Sequence, residues 1–178
     1  MLIYPEEKIH SFYFKIPENK WKGIYHTLVD IHLLQKTRDS ALGHKKYSDG
    51  YNFVCPNDIE ELNDLYSFFL EKSQQIVGNL TLLETNNSSV WANVSGRYEK
   101  NQKHNHLKTS VINSVYYFSL PNDYDGGIDF FGKRLIHHQP KQGELLIFPN
   151  HLAHLPYCAN SNIYRIALNM EIRCEQQL

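Results

Sequence analysis

Beyond Gly78 the chain becomes a series of short apolar runs, at residues 80–83, 90–97, 111–120, 128–131, 145–148 and 164–172, separated by Gly, Asn, Asp, Ser and Pro. Runs of this length, rich in β-branched and aromatic residues and broken by turn formers, read as strands. Several in succession predict a mainly β fold of the sandwich or jelly-roll kind.

Helical signals come earlier. Trp21, Ile24, Tyr25, Leu28 and Ile31 recur at helical spacing across residues 19–35, so one face of a helix is apolar. Residues 38–56 read as a loop. Asn57 with Glu60 three residues on reads as a capping box opening a second helix, with Ile59, Leu62, Leu65, Tyr66 and Phe69 as its stripe and Gly78 as its stop. Residues 11–16 alternate and read as a strand. Both stripes are core faces, and the two helices are expected to brace one sheet. The expected organisation is one domain over 1–178, with helical support at about 18–78 and a jelly-roll core at about 80–174; no repeat, low-complexity segment or linker divides it.

Within the stranded part, His104 and His106 lie two apart, so in an extended segment both imidazoles leave one face and can grip one metal ion. His154 follows the strand-like run that ends at Pro149. Neutral imidazoles suit iron, zinc, copper or nickel. Three protein ligands leave coordination positions open, as catalytic sites do and structural zinc sites do not. With ten histidines in the chain an isolated HxH pair arises by chance, but the strand and turn pattern around this one favours a metal site. His137 and His138 are adjacent and cannot share a face. His151 sits in a turn, where it could contact substrate.

The ordered set WANV (91–94), HNH (104–106), SVYYF (114–118), YDGG (124–127), QGELLIFPNHLAH (142–154) and RIALN (165–169) resembles the catalytic domain of Fe(II)- and 2-oxoglutarate-dependent oxygenases. It is most similar to short phage and bacterial oxygenases and more distantly to prolyl hydroxylases. The resemblance spans a little under half of the chain. It implies a cupin-like double-stranded β-helix with Fe(II) and 2-oxoglutarate as cofactors. His104 would be the first iron ligand, His106 the second and His154 the last, and Arg165 would hold the distal carboxylate of 2-oxoglutarate. Tyr117 would face the site beside Asn93 and Asn169, with Tyr116 as the competing register and ordinary core packing as the alternative for both tyrosines. The implied reaction consumes dioxygen, releases succinate and hydroxylates an unactivated carbon of a peptide or protein residue or of an amino-acid-like small molecule.

Two positions depart from the wider pattern. His106 stands where most members carry an acid, so either it is a ligand or the carboxylate comes from Asp123, Asp125 or Asp129; Gly126 and Gly127 assign the first two to a turn. Ala167 stands where many relatives have a serine, whose hydroxyl Tyr117, Asn93, Asn169 or water must replace. Two other classes fit the residues. One is a three-histidine cupin-type dioxygenase that does not use 2-oxoglutarate; the other is a non-enzymatic jelly-roll binding protein.

A formal net charge of -1 supplies no general attraction for nucleic acid, and none is expected as a partner. Arg97, Lys100, Lys103 and Lys108 flank HNH, and Lys133, Arg134 and Lys141 flank the following hairpin. Such runs are ordinarily solvated surface; rimming the barrel mouth, they would draw in an anionic substrate. Cys55, Cys158 and Cys174 form an odd set without metal spacing and read as reduced thiols. The opening MLIYPEEKIH has no leader pattern and no apolar run reaches eighteen residues, so a cytoplasmic protein without membrane contact is expected. The sequons at Asn79, Asn86, Asn87 and Asn93 are then accidental. Nothing indicates an oligomeric state.

Overall fold

The computed structural model describes residues 6–41, 51–78, 90–96, 101–122, 126–158 and 163–173. Along these run β1 (His10–Tyr13), α1 (Glu18–Ala41), β2 (Tyr51–Val54), α2 (Glu60–Val77), β3 (Trp91–Ser95), β4 (Ile112–Ser119), β5 (Ile128–Phe131), β6 (Leu135–His138), β7 (Glu144–Pro149), β8 (Ala153–Pro156) and β9 (Arg165–Ile172). The strands form a larger sheet in the order β1-β7-β4-β9-β3-β2 and a smaller one in the order β6-β5-β8. All pairings are antiparallel. An isolated bridge between His104 and His154 adds one further residue beside β8. The fold is a mainly β jelly roll with both helices on the larger sheet.

Period-two alternation sorts the central strands into two cores. On β4, Tyr116 and Phe118 face the helices while Val115 and Tyr117 face the smaller sheet; on β7, Leu145 and Ile147 oppose Leu146 and Phe148 in the same way. On β9, Ile166, Leu168, Met170 and Ile172 pack toward the helices. Arg165, Ala167, Asn169 and Glu171 line the space between the sheets. The helix-side core receives Ile24 and Leu28 from α1 and Leu62, Leu65, Tyr66 and Phe69 from α2. Each fully buried large apolar side chain among them contributes about 1.5–3 kcal/mol. Trp21 stacks on Phe118 and donates its Nε1–H to the Phe118 carbonyl at 3.1 Å, which fixes the start of α1 on β4.

Several local expectations change. Helix α1 continues to Ala41, past the expected end near residue 35. Strand β2 falls in the expected loop and in the stretch assigned to helical support, yet it forms one edge of the larger sheet against β3. Helix α2 starts at Glu60 with Ile59 in the N-cap position and no side-chain cap, so the Asn57 capping box does not form; the Asn57 carbonyl accepts instead from Asn63 Nδ2 at 3.1 Å. Gly78 ends α2 at φ 80, its N–H bonding the Gln74 carbonyl at 2.9 Å. Strands β6 and β8 fall outside the anticipated runs, and residues 80–83 lie outside the described ones.

Candidate active site

Three histidines converge between the sheets although two of them are not on a strand. The segment carrying His104 and His106 is a loop held at two points. His104 exchanges both backbone bonds with His154, at 3.0 and 2.8 Å, and the His106 N–H bonds the Asn150 carbonyl at 2.9 Å. Asn150 is itself anchored, its Nδ2 donating to the Ser110 carbonyl at 2.6 Å. These contacts replace the shared strand face expected from the spacing. The ring centroids of His104, His106 and His154 lie 4.3–5.3 Å apart. One ring nitrogen from each falls within 4.8 Å of the others, a grouping that could hold one metal ion.

The hydrogen bonds select the tautomers. His104 Nδ1 lies 2.7 Å from the Gln102 carbonyl and His154 Nδ1 lies 3.1 Å from the Leu152 carbonyl. A carbonyl only accepts, so both Nδ1 atoms carry hydrogen and the neutral rings keep the Nε2 lone pair. His106 Nδ1 lies 2.7 Å from Glu171 Oε1. This donor set fits a divalent metal of the imidazole-preferring group, with outer partners of the kind that orient metal-bound histidines. Burial, and then the neighbouring His104, push the His154 imidazole down to about 3, so it is unprotonated and competent to coordinate at neutral pH. Phe148 and Phe130 wall its other side.

The same cavity, of about 450 Å³, reaches Arg165 at the start of β9. Arg165 is 1% exposed. It donates from Nη1 to Asn93 Oδ1 at 3.0 Å, and its guanidinium sits 5.5 Å from the centre of the Tyr117 ring. The Asn93 amide is oriented in turn by donating from Nδ2 to Asn52 Oδ1 at 3.0 Å across the β2–β3 pair. Among the described residues no carboxylate pairs with Arg165, and its Nε has no hydrogen-bond partner. Ser95, directly opposite Arg165 across the β3–β9 pair, is fully buried with its hydroxyl unbonded among the described residues. A buried guanidinium without a counter-charge is costly to hold. An anion with two oxygens would offset that cost through parallel charge-assisted bonds.

Other expected residues sort by position. Tyr117 lies on the inter-sheet face, whereas Tyr116 faces the helix side and donates to the Phe14 carbonyl at 3.0 Å. Asn169 lines the cavity. Asp129 is outside the histidine group: it binds His137 Nδ1 and the Tyr157 hydroxyl, each at 2.7 Å, bracing β5 against β6 and the turn after β8. Asp123 and Asp125 lie outside the described residues. His138 contacts Glu144 at 3.1 Å. Of the basic residues around HNH and the hairpin, Lys103, Lys108, Lys133, Arg134 and Lys141 do not line the cavity, and Lys103 Nζ sits 3.7 Å over the Phe131 ring. Arg97 and Lys100 lie outside the described residues. Arg173, 4.7 Å over the Trp91 ring, also lines the cavity.

Glu171, Arg173, Asn52 and Ser95 were not anticipated. The alternation on β9 that places Arg165 and Asn169 in the cavity also carries Glu171 there, so that one signal was available. Of the cysteines, Cys55 is buried and its thiol is pushed up to about 12 by that burial, and Cys158 Sγ accepts from Asn101 Nδ2 at 3.3 Å; Cys174 lies outside the described residues. Asn93 is buried, which leaves no room for a glycan; the other three sequons fall outside the described residues. Among the described residues no helix is long and apolar enough to cross a membrane.

Neither a family model nor a curated protein matches this sequence. Solved structures do match its fold. A Pseudomonas putida prolyl-4-hydroxylase is 12% identical at a TM-score of 0.61, covering 93% of this chain and 92% of that one. A Trichoplax adhaerens prolyl hydroxylase, solved with a hypoxia inducible factor oxygen degradation domain peptide fragment, is 13% identical at a TM-score of 0.66, over 94% and 84% of the two chains. The viral collagen prolyl hydroxylase of Paramecium Bursaria Chlorella virus-1, in its 2OG complex, is 11% identical at a TM-score of 0.63, over 97% and 98%. The chain therefore has the jelly-roll fold of Fe(II)- and 2-oxoglutarate-dependent oxygenases.

Proposed function

We propose that this protein is an Fe(II)- and 2-oxoglutarate-dependent oxygenase. His104, His106 and His154 would hold iron through Nε2, and Arg165 would hold the far carboxylate of 2-oxoglutarate. The observation that carries this reading is the buried Arg165, with no counter-carboxylate among the described residues, in one cavity with the three-imidazole cluster. Such a guanidinium stays charged and engages a carboxylate bidentately. Asn93 fixes its orientation, and Ser95 lies opposite it across the β3–β9 pair. Tyr117 packs behind the guanidinium, and Asn169 lines the approach.

Bound iron and 2-oxoglutarate would supply the oxidising chemistry, in which a substrate C–H, 2-oxoglutarate and dioxygen become the C–OH, succinate and carbon dioxide. The protein's part is to leave coordination positions open, hold His154 unprotonated and shield the inner cavity with Phe148 and Phe130. The substrate class that goes with this reading is a peptide or protein residue or an amino-acid-like small molecule, which would meet Trp91, Asn52 and Asn101 among the cavity-lining residues. Succinate formation from 2-oxoglutarate, dependent on Fe(II) and dioxygen and stimulated by peptides or amino acids, tests the reading. Oxidation of a substrate without succinate would favour the three-histidine cupin-type dioxygenase, which the all-histidine cluster found among the described residues recommends. Failure to take up Fe(II) would leave a non-enzymatic jelly-roll binding protein.

A further inference from the structure

We propose that Glu171 supplies, through His106, the negative charge that a three-histidine iron site otherwise lacks. This rests on the iron reading above. Where a ligand carboxylate is absent, three neutral imidazoles leave a divalent ion with its full charge in a cavity that already contains Arg165. Glu171 is the carboxylate in contact with the histidine cluster among the described residues, with Oε1 2.7 Å from His106 Nδ1. The other two rings lean on backbone carbonyls, which orient a ring but carry no net charge. Glu171 is therefore different in kind from the other two outer partners: its bond gives the His106 ring anionic character and raises its basicity toward the metal.

The carboxylate is built into place. Glu171 faces the cavity by the alternation of β9, is 9% exposed, and is paired in register with the buried Asn113 of β4. Its second oxygen, Oε2, lies 3.4 Å from Arg173 Nε, and Arg173 is held over Trp91. Arg173 occupies the oxygen that faces away from His106, which leaves Oε1 for the imidazole. Glu171 is thus a positioning residue that brings a carboxylate within one bond of the metal, its charge shared between His106 and Arg173.

The test is metal affinity by chelator competition under anaerobic conditions, with Fe(II) and with Co(II), for wild type, Glu171→Gln, His106→Asp and the double variant. Glutamine keeps the size and an acceptor oxygen but not the charge. Expected is a loss of affinity for both metals in Glu171→Gln of roughly 10- to 100-fold, the usual cost of removing an outer partner. In the His106→Asp background, where the acid ligand is restored, Glu171→Gln should leave affinity unchanged or tighten it, because two neighbouring carboxylates repel. Glu171→Gln binding both metals as tightly as wild type, or weakening them equally in both backgrounds, would overturn the proposal and leave the iron site standing. A wild-type protein that binds neither metal would overturn the iron reading and this inference with it.

Discussion

At the scale of single residues, the site depends on which nitrogen each ring presents. All three histidines have Nδ1 engaged, by two carbonyls and one carboxylate, so each has Nε2 available. Alanine at His104, His106 or His154 is therefore expected to reduce the iron retained after purification strongly. Alanine at His137 or His138, whose rings bond Asp129 and Glu144 instead, is expected to leave it at the wild-type level. Metal analysis of the five variants decides this. That His104, His106, His154 and Arg165 meet in one cavity follows the expectation from residue type, although the shared strand face expected from the HxH spacing does not form. Glu171 was less legible, since a lone glutamate near the end of a strand reads as an ordinary surface acid until its partner is known. Ser95 was hidden for the same reason: an unremarkable serine gains meaning only from the arginine opposite it.

At the scale of elements, the apolar runs at 90–97, 111–120, 128–131, 145–148 and 164–172 all correspond to strands, and the strands missed are those without such a run. β4, β7 and β9 have six to eight residues of strong β-forming sequence. β2, β6 and β8 have four residues each, and their strand character comes from pairing with neighbours rather than from any pattern of their own. The cost of missing β2 fell on the site, because Asn52 is what orients Asn93. The smaller sheet is tied together by Asp129, whose carboxyl is held below the ordinary aspartate range first by the Tyr157 hydroxyl and then by His137. A depressed carboxylate contributes stability that is present above the unfolded value of about 3.9 and is lost as pH falls through the lower folded value. Asp129→Asn should thus lower the melting temperature at neutral pH and shrink the difference from wild type as the pH approaches 3.9 and falls below it. A gap that stays constant across that range, measured by thermal melts, would remove the ionised carboxylate from the account. Gly127 contributes at the same place: at φ 150 it passes the β6 backbone so closely that a Cβ would sit 2.7 Å from the His138 carbonyl oxygen.

At the scale of the whole molecule, the placement of charge matters more than its sum. Lys103, Lys108, Lys133, Arg134 and Lys141 do not line the cavity, and Arg97 and Lys100 lie outside the described residues. The cosubstrate is instead expected to meet a buried Arg165, which salt screens little. Succinate formation should accordingly stay nearly level as the Debye length falls from about 10 Å to about 3 Å, provided the protein remains folded. A steep decline would restore a role for surface charge. The most direct test of the central claim is calorimetric titration of 2-oxoglutarate into the Fe(II)-loaded protein without oxygen, for wild type and Arg165→Ala. The structure predicts a single site in wild type, weakened in the variant by about 1.5–3 kcal/mol or more, as for a lost charge-assisted bond. No binding to the iron-loaded wild type, or equal affinity in the two proteins, would contradict it.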